Sequence, residues 1–267
     1  MESKTALAES LGVSRSTLYY KSKLKDKDWK LKQDIEKVLR EHHSYGYRRV
    51  ATALGINKKR AQRVMRLYGI KPHRRVTKKA FRKAKKEDCS FPNRLLEVTP
   101  QYANHIWACD FSHVLFEGKW VYIATVLDLY SRKIVGISVM TTHTVKLTIN
   151  ALLNAVHHHG SPEMIHSDHG SEYTAKDYAM ICESLGIIQS MSAKGCPWEN
   201  GYQESFYGKF KVDLGDPSRF ESLGELVFAI YHTIYVYNNT RIHSALGMSP
   251  IQFLIKSERQ FSSERVS

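Results

Sequence analysis

The sequence has no apolar run near the roughly 18 residues of a membrane-spanning helix. Its start, MESKTALAES, lacks the apolar stretch of a secretory signal. These absences predict a soluble, intracellular protein with no membrane partner. Cysteine is scarce: Cys89, Cys109, Cys182 and Cys196 lie far apart and form no CxxC pair. That pattern gives a zinc site no support and reads as free thiols in a reducing compartment. His42-His43 and His157-His158-His159 have no cysteine or spaced carboxylate companions, so solvated helix-end histidines are the plainer reading than metal ligands. No long heptad pattern runs through the chain, so self-association must use other surfaces. Acidic residues are missing from one stretch: residues 71–86 hold nine Lys or Arg and no Asp or Glu.

The net charge of +14 is unevenly placed. Residues 1–99 hold 27 Lys and Arg against 10 Asp and Glu, while residues 100–267 hold 13 against 16. A basic third on a near-neutral body suggests a polyanion-binding module joined to a different kind of domain. A lysine-rich helical region that is merely soluble is the alternative.

The first third reads as helices. Residues 1–25 suggest a helix-turn-helix: Ala6, Leu7 and Leu11 at helical spacing, a Gly12-Val13 turn, then Ser14 capping a second helix. In such a unit Arg15, Ser16 and Thr17 would meet DNA; a plain helical hairpin fits the same residues. Residues 26–70 form a second helical module. A helix from Trp29 to His42 buries Leu31, Ile35, Val38 and Leu39, Tyr45-Gly46-Tyr47 breaks it, and a short helix runs from Arg48 to Leu54. A third helix after Asn57 turns Ala61, Val64, Met65 and Tyr68 inward. Lys58, Lys59, Arg60, Arg63 and Arg66 face outward, and all but Arg66 are candidate DNA contacts. Residues 71–99 read as a basic linker that hangs in solvent or lies along phosphates.

After Pro100 the pattern changes. IWACDFSHV, KWVYIATVLDL and RKIVGISVM are apolar, β-branched and aromatic, with turns at Glu117-Gly118 and Tyr130-Ser131. Thr144 to His158 reads as a helix, Glu163 to Ser167 as a strand, Ala175 to Leu185 as a helix and Ile187 to Met191 as a strand. Helices from Pro197 to Lys211 and Leu223 to Tyr237 follow. The order βββαβαβ gives an α/β fold with a mixed sheet and helices on its faces, over residues 100–215. A C-terminal helical segment occupies 216–267.

An acid in a buried strand is costly unless something pairs with it. Asp110 lies in the first strand of this region and Asp168 ends the fourth, in MIHSDHGSEYTA. If those strands are neighbours, the two carboxylates converge. Glu204 falls two turns into the helix that Pro197 opens, beside a Phe206–Phe210 stripe able to anchor that helix on the sheet. Three carboxylates suit Mg²⁺ or Mn²⁺, and two such ions can drive phosphodiester displacement. Asp128 reads as a turn or cap acid. Glu172 and Glu199 are decoys, the latter off the helical face of Glu204.

The spacing, 57 residues from Asp110 to Asp168 and 35 on to Glu204, is embedded in recognisable blocks: HSYGYRRVATAL, KKRAQRVMRLYGI, WACDFS, HSDHGSEY, NGYQESFYGKFK and YNNTRIHSALGMSP. Over nearly its whole length the chain resembles the DDE transposases of bacterial insertion sequences. The likeness is to the second-frame product of the IS-three family, which shares its core with retroviral integrases. The resemblance implies a ribonuclease-H-like catalytic core, with Asp110, Asp168 and Glu204 holding two Mg²⁺ or Mn²⁺ ions. It implies hydrolysis at the element's ends, followed by attack of the freed 3′-hydroxyl on another phosphodiester. It implies double-stranded DNA as partner, a homo-oligomer on paired ends, an upstream-frame fusion partner in some members, and a bacterial, nucleoid-associated cytoplasmic location. Lys211, two turns after Glu204 on the same face, is a candidate phosphate contact, and Asn200 is a further one. Three positions depart from the family pattern: Glu199 and Gly201, where aspartate and alanine are common, and Glu172, where glutamine is. The Tyr237-Asn238-Asn239 block with Arg241 and His243 reads as packing of the C-terminal segment against the core, with direct DNA contact as the alternative. Two competing readings stay open here, a non-catalytic DNA-binding regulator and a metal-dependent ribonuclease.

Overall fold

The computed structural model describes residues 4–14, 16, 24–73, 91–193 and 196–264. The chain divides into two compact units, residues 1–72 and 73–267. In the first, α1 (Lys4–Ser10) ends at Gly12, whose φ of 63° makes the expected glycine turn. Arg15 and Thr17 lie outside the described residues, as does most of the basic linker.

Three helices pack together next: α2 (Leu24–Glu41), α3 (Tyr47–Leu54) and α4 (Lys58–Leu67). Their apolar stripes meet at Ile35, Val50, Ala61 and Val64, all with no exposed surface. Gly55, at φ 62°, closes α3 with a left-handed cap, and the Asn57 side chain accepts from the Lys59 N–H to start α4. Helix α2 begins five residues before the expected Trp29. Its extra turn carries Asp28, buried although acidic, because Arg63 donates two 2.6 Å hydrogen bonds to its carboxylate. Arg63, a candidate DNA contact, thus has a partner within the fold.

That pair has a pH signature. The Arg63 guanidinium holds the Asp28 carboxyl below the usual carboxylate range. A depressed folded-state pKa stabilises the fold above the unfolded carboxylate value, and the contribution is lost as pH falls through the folded value. Arg63→Leu leaves a buried carboxylate without its cation. In the variant, amide exchange across residues 24–73 is faster at neutral pH, and acid unfolds this segment at a higher pH than in the wild type. Unchanged exchange there would show that the pair contributes nothing.

In the second unit a five-stranded sheet is ordered β3-β2-β1-β4-β5. Strands β1 (Ile106–Phe116), β2 (Lys119–Asp128) and β3 (Ile134–Met140) form the expected antiparallel meander, while β4 (Met164–Ser167) and β5 (Ile188–Met191) run parallel to β1. Glu117 and Gly118, both at positive φ, make the two-residue turn joining β1 to β2. Asp128 is the expected turn acid: it is buried and accepts from the N–H groups of Asn104 and Ser131 and from the Ser131 hydroxyl.

The two sheet faces carry separate cores. On one, α5 (Val145–His159) and α7 (Lys176–Ser184) cover Trp107, Cys109, Ala124 and Val126. On the other, α8 (Gly201–Leu214) and α9 (Leu223–Asn239) cover Ile106, Ala108, Ile123 and Leu127. The alternation along β1 and β2 dictates this division. Helix α9 therefore shares the core of the sheet, and the C-terminal segment, continued by α10 (Pro250–Glu264), is not separate from it. Asn238 exchanges two hydrogen bonds with the backbone of Ile134, and Arg241, 3% exposed, binds Asp213. These contacts bear out the packing role expected of that block. Among the described residues no helix is long and apolar enough to cross a membrane.

Candidate active site

Strand register brings the two aspartates together. Parallel pairing matches Ile106 with Met164, Trp107 with Ile165 and Ala108 with His166. The same register, continued two residues past the paired stretch, sets Asp168 opposite Asp110. Residues opposite each other on adjoining parallel strands share a sheet face. Both aspartates line a cavity of about 580 Å³ with Glu204, Lys211, Asn200, Tyr207 and Phe111.

Glu204 reaches this cavity because α8 is fastened to β1 by polar side chains. Gln203 Nε2 donates to the Ala108 carbonyl at 2.6 Å, and Asn200 Nδ2 donates to that of Cys109 at 3.1 Å. The Tyr207 hydroxyl lies 2.8 Å from the Ile123 carbonyl and 3.1 Å from that of Asp110. Three successive β1 carbonyls thus meet residues spaced i, i+3, i+7 on one helix face. Gln203 and Tyr207 are buried, and the Thr125 hydroxyl bridges them. The sequence reading missed this pair. Its signal was present in the polar positions interleaved with Phe206 and Phe210. Asn200, a candidate DNA contact, is only 5% exposed and spends its amide on the fold. Helix α8 also starts later than Pro197: a short 3-10 turn, Pro197–Asn200, precedes it. Glu199 in that turn accepts from Asn93 and the Ala193 N–H, which places it in a structural role.

The electrostatics are those of crowded, buried carboxylates. Burial pushes the Asp110 carboxyl up to about 7, with the Asp168 and Glu204 charges adding to the rise and Lys211 opposing it. Burial also raises Asp168, and the nearby Glu172 adds to it, against a hydrogen bond from the Gly170 N–H. Glu172 itself is engaged elsewhere. It is 8% exposed and bonded at 2.8 Å by His143, whose ring stacks on Tyr122 and leans on Phe111. Among the described residues no three acidic, histidine or cysteine side chains form a ready metal cage; the acids share a cavity instead.

Gly170 is a close approach. A Cβ there would stand 3.0 Å from Asp168 Oδ1 and 3.3 Å from Glu172 Oε2. Both are ends of flexible side chains, so Gly170→Ala shifts the carboxylates by a few tenths of an ångström at little cost to stability. The expected result is a melting temperature nearly unchanged; a clear drop would mean that the two carboxylates cannot yield.

Comparison with known proteins agrees with the geometry. Two integrase core domain families match, one over residues 100–197 and the other over 185–250. The uncharacterized 31 kDa protein of insertion element IS600 from Shigella sonnei is 34% identical over 263 residues, covering 92% of this chain and 97% of that protein. The transposase of IS904 from Lactococcus lactis is 33% identical over 234 residues, covering 84% and 92%. The chain belongs to the insertion-sequence transposases. The InsF transposase of IS3A from Escherichia coli is 34% identical over 154 residues, covering 56% of this chain and 54% of that one. Among solved structures, the simian T-cell lymphotropic virus intasome, seen by cryo-EM with the PP2A regulatory subunit B56 gamma, has a chain 19% identical. That match has a TM-score of 0.51 and covers 82% of this chain and 74% of that one; it shows a shared fold. The protein is a DDE transposase with a ribonuclease-H-like core, as the resemblance implied.

Proposed function

We propose that Asp110, Asp168 and Glu204 are the catalytic acids of this transposase and hold two Mg²⁺ or Mn²⁺ ions. The observation that carries this reading is that Asp110 and Asp168, each two residues past the last β1–β4 pair, line one cavity with Glu204. An all-oxygen donor set suits these hard ions, and a cation would offset the burial and like-charge repulsion that raise Asp110. Such ions activate a hydroxyl nucleophile and stabilise the leaving oxygen in phosphodiester displacement.

The chain's own residues orient the DNA. Lys211 lines the cavity and takes a phosphate beside the scissile bond. Gln203 and Tyr207 hold α8 against β1, and so hold Glu204 in place. Water attacks first at the element's end and frees a 3′-hydroxyl. That hydroxyl then attacks a phosphodiester of the target, and the target's own 3′-oxygen leaves. Lys58, Lys59 and Arg60 stand exposed on the first turn of α4. Three cations at a helix N-terminus oppose the helix dipole, and an anion there would stabilise both. This supports α4 as a DNA-phosphate contact, with Arg15, Ser16 and Thr17 as a second module and Arg63 supporting α4 through Asp28. The substrate is double-stranded DNA, both terminal repeats and target, held by a homo-oligomer on paired ends in the bacterial cytoplasm at the nucleoid. An upstream-frame fusion partner completes the machinery in the form that the family resemblance suggests.

The test incubates the protein with labelled DNA carrying its element's ends and Mg²⁺ or Mn²⁺, beside Asp168→Asn. Metal-dependent nicking and joining that vanish in the variant support the reading. Binding without cleavage by the wild type, even with its upstream partner added, would favour the regulator.

A further inference from the structure

A second cavity lies on another side of the same helix. Glu204, Tyr207 and Lys211 of α8, with Asn200 just before it, line the acid cavity, while Tyr202, Ser205 and Lys209 of α8 line a second one of about 550 Å³. Its remaining walls come from the β2–β3 turn, through Arg132, and from His243-Ser244-Ala245 of the late sequence block.

Arg132 is the unusual member. It holds a positive φ of 64°, a strained conformation for a long side chain. The turn imposes it: the Arg132 N–H donates to the Asp128 carbonyl at 2.8 Å, and the buried Asp128 is itself pinned by Ser131 and Asn104. The guanidinium lies 4.1 Å from the centre of the Tyr202 ring. Its Nη1 is buried, and among the described residues no group accepts a hydrogen bond from it. A buried cationic donor without an acceptor costs more than almost any other polar group, and strain kept at such a place points to a ligand. Glu199, the acid on the wall, is bonded to Ala193 and Asn93.

The chemistry around Arg132 has two halves. Lys209 and the hydroxyls of Ser205 and Ser244 provide anion donors; Leu127, Phe206 and Tyr237 provide an apolar wall. A bare phosphate would leave the wall unused, and an apolar ligand would leave the guanidinium unpaired. A nucleotide uses both, and the volume suits one. We propose that this cavity binds an unpaired nucleotide of the DNA strand that passes the acid cavity, its phosphate on Arg132 and Lys209 and its base on the apolar wall. The two cavities are separated by roughly the 10–12 Å width of one helix, a span of a few nucleotides at about 3.4 Å rise each. The inference rests on the transposase reading of the acid cavity but assigns a separate site.

The test measures binding of labelled duplexes to the full chain in EDTA, one blunt and one with a three-nucleotide single-stranded end. Arg132→Gln and Ala245→Glu are compared with the wild type. Ala245 is exposed, so the glutamate places negative charge at the cavity without removing a packed side chain. Both variants are expected to bind the overhung duplex about tenfold more weakly, with a salt dependence shallower by about one phosphate. Blunt-duplex binding should stay within twofold, and Arg132→Lys should recover part of the loss. Equal wild-type affinity for the two duplexes, or an unchanged overhang preference in both variants, overturns the proposal. If that happens while the wild type still nicks DNA in a metal- and Asp168-dependent way, this inference fails alone. Absence of such nicking with the upstream partner present would sink the transposase reading, and the EDTA binding result would still decide the cavity.

Discussion

Asp168→Asn is expected to nick element-end DNA about a thousandfold more slowly than the wild type. Asp110→Asn and Glu204→Gln should fall as far. Metal-assisted charge stabilisation contributes several kcal/mol to such a displacement, and each 1.4 kcal/mol is about a factor of ten in rate. The amide keeps the size of the carboxylate and removes its charge, so the change is electrostatic. Stability should move the other way for Asp110. Its carboxyl is raised to about 7 by burial and by Asp168, so ionising it at neutral pH works against the fold. In EDTA at pH 8, Asp110→Asn should melt higher than the wild type while cleaving almost nothing. Single-turnover cleavage and thermal melting on the same preparations check both halves. A variant that loses activity and also melts lower would point to damage rather than to a lost ligand.

Gly136→Ala is expected to cause the largest loss of stability. Gly136 lies in β3 where α5 crosses it, and a Cβ there would stand 2.3 Å from the Ala151 carbonyl oxygen and 2.6 Å from Ala155 Cβ. Neither neighbour is the end of a flexible side chain. The clash is relieved only by moving α5 off the sheet, which opens the core around Leu147, Ala151 and Leu152. Overpacking in a core typically costs about 1–3 kcal/mol, and a backbone clash of this depth should reach the upper end of that range or beyond. Against a total of about 5–15 kcal/mol for a folded domain, the variant is marginal. Gly118→Ala is the control. Gly118 also has a demanding backbone, at φ 75°, but nothing lies within 4 Å of its Cβ position, so the cost there is conformational and about 1 kcal/mol. Urea unfolding of both variants should rank them in that order; equal midpoints would mean that α5 shifts freely on β3.

The local order of this protein was legible without coordinates because its periodicities are strong. Alternation along IWACDFSHV and KWVYIATVLDL fixed a meander, and the 3.6-residue stripes of KKRAQRVMRL fixed a helix with its basic side outward. Asp110 stood out as an acid inside an apolar strand, Asp168 as one at a strand end, and Glu204 as one beside an aromatic stripe. What the sequence did not contain was any term linking residues far apart in the chain. That Asp168 stands opposite Asp110 follows from β4 pairing with β1 in parallel, a choice made by the helices that cover the two faces. That Asn200 turns inward, and that the exposed Arg63 is tied to the fold, follows from particular partners, the Cys109 carbonyl 91 residues away and the Asp28 carboxylate 35 residues away. The same holds for Gln203 and Tyr207, whose polar ends read as surface until β1 carbonyls are set beneath them, and for Arg132, which the turn at Asp128 strains and aims into a cavity. Sequence alone determined the elements and the acids, because local spacing encodes them. Tertiary structure decided which polar groups stay exposed and which hold the fold, because a hydrogen-bond donor is neutral about its partner until packing supplies one.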